Sequence, residues 1–248
     1  GNGTLVRDGG GSCTPPANVT VAPGATLQFT NNYTVADAAG IAGHGTTALA
    51  GGNLTLTGNF GAAGGFAQTG GTLAGNHTFT TPVAWSGGNW NSAGTTTIAA
   101  GSTLTLAGPA AHDFNSRNIV IHGTANWLDG DLRSGAAGSF TIAAGGSLND
   151  SASHAASNYY GGTVATITNN GTFNKTAAGN TTFYLPFTNA GNLTVGNGTL
   201  VLDGGGSFTP TANVTVAPGA TLQFSSNYSV ADAASLAGPG NYLVSSGN

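Results

Sequence analysis

Five of the chain's twelve charged side chains fall between positions 113 and 133: Asp113, Arg117, Asp129, Asp131 and Arg133, joined there by His112, His122 and Trp127. Carboxylates beside an imidazole and an arginine are the equipment of polysaccharide hydrolysis or elimination, one group protonating the leaving oxygen while another activates water or takes a proton. A catalytic reading would use Asp113, His122, Asp129, Asp131 and Arg133, and requires them to converge within about 5 to 10 Å. The same residues also fit a structural role. Asp129-Gly130-Asp131 has the composition of a turn, and Asp113 and Arg117 suit a solvated loop between Pro109 and Asn118. The signal is a local density of charge and not a motif, so the structural role is preferred, no catalytic residue is assigned and no enzymatic activity is expected.

Other chemistry is thinner. Trp85, Trp90, Trp127, Tyr159 and Tyr160 lie in the irregular middle of the chain, where rings stack on sugars or pack over an edge; they are the weak candidates for ligand contact. The histidines (His44, His77, His112, His122, His154) lack ligand spacing, and a lone cysteine makes no thiolate cage, so no metal and no cofactor is expected. Asp129-x-Asp131 invites calcium, but too few acids surround it for an oxygen cage. The glycines form no phosphate-binding loop. Thr55-Leu56-Thr57 and Thr103-Leu104-Thr105 hint at the hydroxyl rows of an ice-binding face, without recurring in every unit.

Composition narrows the classes further. Four basic residues (Arg7, Arg117, Arg133, Lys175) cannot neutralise a run of phosphates, which argues against nucleic acid and anionic membranes as partners. Hydrophobic residues at 39% with a net charge of only -4 argue against disorder. No apolar run is long enough for a membrane span. Thirteen Asn-x-Ser/Thr triplets suit glycan acceptors on an exported protein, although a threonine-rich composition produces many of them by chance.

What must position these groups is a repeat. Residues 1–45 return as 196–240 with nine differences, an offset of 195. The differences form a small mutation series. Cys13 becomes Phe208, which points to apolar packing and not to a reactive thiol; Arg7 becomes Leu202 and His44 becomes Pro239, so nothing common to both copies needs either. Beneath this lies a shorter unit in which Thr96-Thr97-Ile98 leads to Gly101, Ile119-Val120-Ile121 to Gly123 and Phe140-Thr141-Ile142 to Gly145, the glycines 22 apart. Asn18-Val19-Thr20-Val21 alternates at period two, the mark of a strand with one buried face. Short strands, glycine corners and a period of about 22 predict an all-β, right-handed parallel β-helix, one continuous solenoid over 1–248. Residues about 22 apart then stack, which brings Asp113 toward Arg133 and leaves His112 and His122 facing different ways. Because the chain opens and closes inside copies of one unit, it is expected to be a piece of a longer repetitive protein.

The units NLTVGNGTLVLDGGGSF, TTTIAAGSTLTLAG and TITNNGTFNKTAAG resemble the strand repeats of large bacterial surface proteins, the filamentous-haemagglutinin-like and autotransporter-passenger adhesins. The resemblance covers nearly the whole chain. It implies a secreted right-handed β-helix serving as stalk, adhesin or surface fibre. Low charge and polar Thr/Asn faces suit lateral packing or broad surface contact, with further copies of itself or cell-surface glycans as the expected partners. The long period exceeds what is usual in those proteins.

Overall fold

The computed structural model describes residues 2–15 and 18–247. Alternation dictates the local structure. In Thr103–Leu106 the leucines are buried and the threonines half-exposed, and the same in-and-out pattern recurs in Thr124–Trp127, Ser147–Asp150 and Thr172–Lys175. A period of two gives a strand one apolar side and one polar side. Such a strand is stable only when neighbours cover the apolar side, and here the chain supplies them by coiling.

Each coil carries three strands, and strands of successive coils pair in parallel to build a β-solenoid. The first face runs from Thr4–Arg7 through Thr103–Leu106 to Ser235–Ala237, and the second from Gly11–Cys13 to Asn241–Val244. These two faces merge into one 22-stranded sheet because Phe66–Ala74 and Val83–Asn89 continue around the corner between them. The third face is a 9-stranded sheet from Gly58–Phe60 to Tyr228–Val230, preceded by the pair Val19–Val21 and Ile41–Gly43. Successive register partners carry Leu5 to Leu236 along the first face in eleven steps. The mean coil is therefore about 21 long, against the 22 expected. Coils differ: the one from Phe66 to its partner Val83 is shorter than the mean, and the one from Leu148 to its partner Phe173 is longer. The long coil houses the loop that carries Tyr159 and Tyr160.

The short coil is tight enough to require glycine at its corner. A Cβ at Gly70 would lie 2.3 Å from the carbonyl oxygen of Ala50, and one at Gly88 2.5 Å from the backbone of Gly70. Gly71 and Gly88 also hold positive φ, of 69° and 74°, which a side chain would strain.

The core is a continuous apolar filling. Phe173, Phe183, Phe187, Phe208 and Phe224 follow one another along the axis at centroid separations of 5.4 to 6.4 Å. The internal repeat shows how far each coil depends on the next. Val35 and Ile41 are 1% and 2% exposed, but their copies Val230 and Leu236 are 45% and 37% exposed because the terminal coil leaves them uncovered. Cys13 is half-buried near one end, and its copy Phe208 is fully packed at 1%.

The two copies do not occupy the same faces. Thr4–Arg7 lies on the first face and its copy Thr199–Leu202 on the second; Tyr33–Val35 lies on the second and Tyr228–Val230 on the third. One long period therefore winds nine and one-third coils. One sequence serves on different faces because alternation specifies only inward and outward positions.

Candidate functional site

The charged region is built from adjacent coils but not as one cleft. Asp113 and Arg133 are register partners at the corner where the second face turns toward the third. Arg133 Nε and Nη2 donate to the two carboxylate oxygens at 2.7 and 2.8 Å, a two-pronged pair that keeps the guanidinium protonated. The sequence spacing anticipates this meeting. The other three residues lie elsewhere. Asp129 Oδ1 accepts from the backbone N–H of Gly130 at 2.8 Å, and Asp131 Oδ1 from that of Ala155 at 2.8 Å, both in the turn between the first and second faces. His122 is exposed in the turn between Arg117–Ile121 and Thr124–Trp127. The five residues thus occupy three corners of the coil. His112 turns inward, is fully buried and lies 2.9 Å from the carbonyl oxygen of Asp129; burial lowers its pKa.

Arg117, expected in a solvated loop, is instead buried in the core, bonded to the carbonyls of Trp90 and Gly75 and to Thr96 Oγ1. Thr96 Oγ1 in turn lies 3.0 Å from His77 Nε2. No carboxylate is bonded to Arg117 among the described residues, and burial lowers its pKa to about 10. The sequence carries the signal for this burial, since in Arg-Asn-Ile-Val-Ile the arginine stands in phase with the inward Ile119 and Ile121, but it shows only when the alternation is carried back to the first residue of the strand.

The aromatic candidates divide. Trp85, Trp90 and Trp127 are completely buried. Trp85 and Trp90 stack at 4.0 Å, and Trp90 donates its indole N–H to Gln68 Oε1 at 2.6 Å; Trp127 donates to the Gly130 carbonyl at 2.6 Å. These three rings are core, out of reach of a ligand. Tyr159 and Tyr160 are 62% and 41% exposed, and the loop bearing them folds back over two coils. Tyr160 donates to Asp113 Oδ2 at 2.7 Å and accepts from Asn91 Nδ2 at 3.0 Å, while the Arg133 guanidinium lies 4.1 Å from the centre of the Tyr159 ring. The result is a fixed aromatic platform over an ion pair, and stacking on such a ring is how proteins hold a sugar face.

The first face has a regular outer surface. Thr103, Thr124, Ser147 and Thr172 stand in one outward column, and Thr105, Asn126, Asn149 and Asn174 in the next. Asn174 donates to Asn149 at 3.0 Å and Asn149 to Asn126 at 2.9 Å, an amide ladder along the axis. Rungs repeat at about 4.8 Å and side chains within a rung at roughly 6.7 Å, giving a flat grid of hydroxyls and amides without charge.

A second polar group escaped the sequence reading. Asp150, His154, Lys175 and Thr181 are all buried inside the solenoid. Thr181 Oγ1 lies 2.6 Å from Asp150 Oδ2, Lys175 Nζ 3.9 Å from the same oxygen, and His154 Nε2 3.5 Å from Oδ1, with the His154 ring stacked 4.3 Å from Trp127. Burial raises the pKa of Asp150 and lowers those of Lys175 and His154. The signal was present: in Thr-Ala-Asn-Trp, Ser-Leu-Asn-Asp and Thr-Phe-Asn-Lys the fourth position is inward, and a charge there is a buried charge.

Comparison with protein-family models, with curated proteins and with solved structures finds no match for this chain in any of the three.

Proposed function

We propose that the chain is a structural or adhesive segment of an extracellular β-solenoid, a length of surface fibre, stalk or adhesin in which the rod itself is the working part. The observation that carries this reading is the grid on the first face: in-register Thr, Ser and Asn columns over successive coils, linked by side-chain hydrogen bonds and free of charge. Such a face suits broad, shallow contact with a glycan layer or with another rod, and the Tyr159–Tyr160 platform supplies a point of sugar stacking. The distribution of Asp113, His122, Asp129, Asp131 and Arg133 over three corners favours this over polysaccharide cleavage, which needs converging carboxyls.

Electron microscopy of the purified chain, with light scattering over a concentration series and binding to immobilised cell-surface polysaccharide, tests it. Unbranched rods roughly 50 Å long that bind polysaccharide or associate side by side, and leave polysaccharide uncleaved, are the expected result. Depolymerisation of a polysaccharide that is lost in Asp113→Asn would overturn it.

The threonines of the third face favour a second reading. Thr78 and Thr97 pair in register, as do Thr141, Thr168 and Thr188, with Val120 between the two runs, a row able to order water. Thermal hysteresis of a freezing solution that disappears in Thr141→Tyr would identify ice as the ligand.

A further inference from the structure

Asp150 and Lys175 occupy successive rungs of an inward column whose adjoining rungs are Trp127 on one side and Val195 on the other. Both side chains are at 0% exposure, and Lys175 is the only lysine in the 248 residues. Parallel register places their Cα atoms directly opposite, and Nζ lies 3.9 Å from the carboxyl group. An ammonium and a carboxylate are costly to hold in such surroundings. Lys175 Nζ donates to the carbonyls of Ala152 and Ala177 at 3.3 and 3.1 Å, which hold the nitrogen beside the acid, and burial pushes the acid up and the amine down, toward the neutral forms that are the two partners of amide formation.

We propose that Asp150 and Lys175 become joined by an intramolecular amide bond, a covalent staple between two neighbouring coils. The lone pair of Lys175 Nζ attacks Asp150 Cγ, and the C–N bond forms. The carboxyl hydroxyl then leaves with a proton given up by the nitrogen, so that amine and carboxylic acid become amide and water. No oxidant, cofactor or second substrate enters. His154 Nε2, buried without a hydrogen-bond partner and 3.5 Å from Oδ1, carries the proton from the nitrogen to the departing hydroxyl. Thr181 Oγ1, 2.6 Å from Oδ2, donates to the oxygen that gathers negative charge. The sheet register supplies the alignment, replacing a bimolecular encounter with a fixed one.

The test is the intact mass of the folded, then denatured, 248-residue chain, together with acylation of its amines after denaturation. The expected mass is one water below that of the sequence, and the denatured chain takes up a single acyl group, at its N-terminus, because Lys175 is blocked. Lys175→Met, with its β-sheet circular dichroism checked, should recover the full sequence mass. His154→Gln should slow the mass change by about a hundredfold during refolding. A native chain of full mass that accepts two acyl groups refutes the bond. So does a missing water that persists in Lys175→Met, since dehydration at Asp8-Gly9, Asp129-Gly130 or Asp203-Gly204 would then account for it.

Discussion

Acid should unfold this solenoid through its buried histidines, and His77 allows the effect to be isolated. Its ring is 4% exposed, packed against Phe79 at 5.1 Å and bonded to Thr96. Burial first, and the Arg117 guanidinium second, lower its pKa from 6.5 to about 3. In the unfolded chain His77 takes up a proton below its ordinary pKa, while in the folded chain it stays neutral until about pH 3. Stability is therefore unaffected above pH 6.5 and falls as the pH drops from 6.5 toward 3. At about pH 4.5, two units below the unfolded value, His77 alone should remove about 3 kcal/mol. Urea unfolding at neutral pH and at about pH 4.5, for the native chain and for His77→Gln, separates this from the other groups, because His112 and His154 contribute equally to both proteins and cancel in the double difference. A His77→Gln chain that loses as much stability as the native chain between the two pH values would refute the reasoning.

Backbone crowding, the tyrosine loop and the buried indoles each give a further expected outcome. Gly70→Ala should cost about 2 to 3 kcal/mol in chemical unfolding, because the new Cβ meets the Ala50 carbonyl at 2.3 Å. Gly101→Ala, in open space but at a φ of 81°, should cost only about 1 kcal/mol by the same measurement. Arg133→Ala should lower global stability by less than about 1 kcal/mol, yet expose the Tyr159–Tyr160 loop to chymotrypsin, which limited proteolysis will read. With Trp85, Trp90 and Trp127 all at 0% exposure, native fluorescence should be blue-shifted and resist acrylamide quenching until the chain unfolds.

The solenoid was legible because alternation and glycine spacing repeat in every unit. The meeting of Asp113 with Arg133 was legible because they are one coil apart in a stretch where the coils stay close to the mean length. Tyr160 also reaches Asp113, but from two coils away, through a loop that doubles back inside a long coil, and no period predicts such a path. Tryptophan composition could not say which way Trp85, Trp90 and Trp127 face; the inward position of the strand decides that. Asp150 and Lys175 were hidden for the opposite reason, since a charge is read as outward unless the alternation around it is followed to its end. The mean coil is nearer 21 than 22 because the glycine spacing is read from one stretch of neighbouring coils, whereas over the whole solenoid the short coil between Phe66 and Val83 and the long one between Leu148 and Phe173 offset each other about the lower mean.

The fractional winding of the long repeat determines how a tandem array would display itself. Had the long period made a whole number of coils, every copy of a surface feature would line up along one side, like teeth on a comb. With one-third of a coil left over, a protein continuing this period would turn each copy onto the next side of the rod, roughly 45 Å further along, and return to the first side only after three copies. A platform such as Tyr159 and Tyr160 would then follow a slow spiral stair. Such a fibre could be gripped from any direction, and a flat surface would meet only every third site, which lowers its avidity for one plane while opening it to several partners at once.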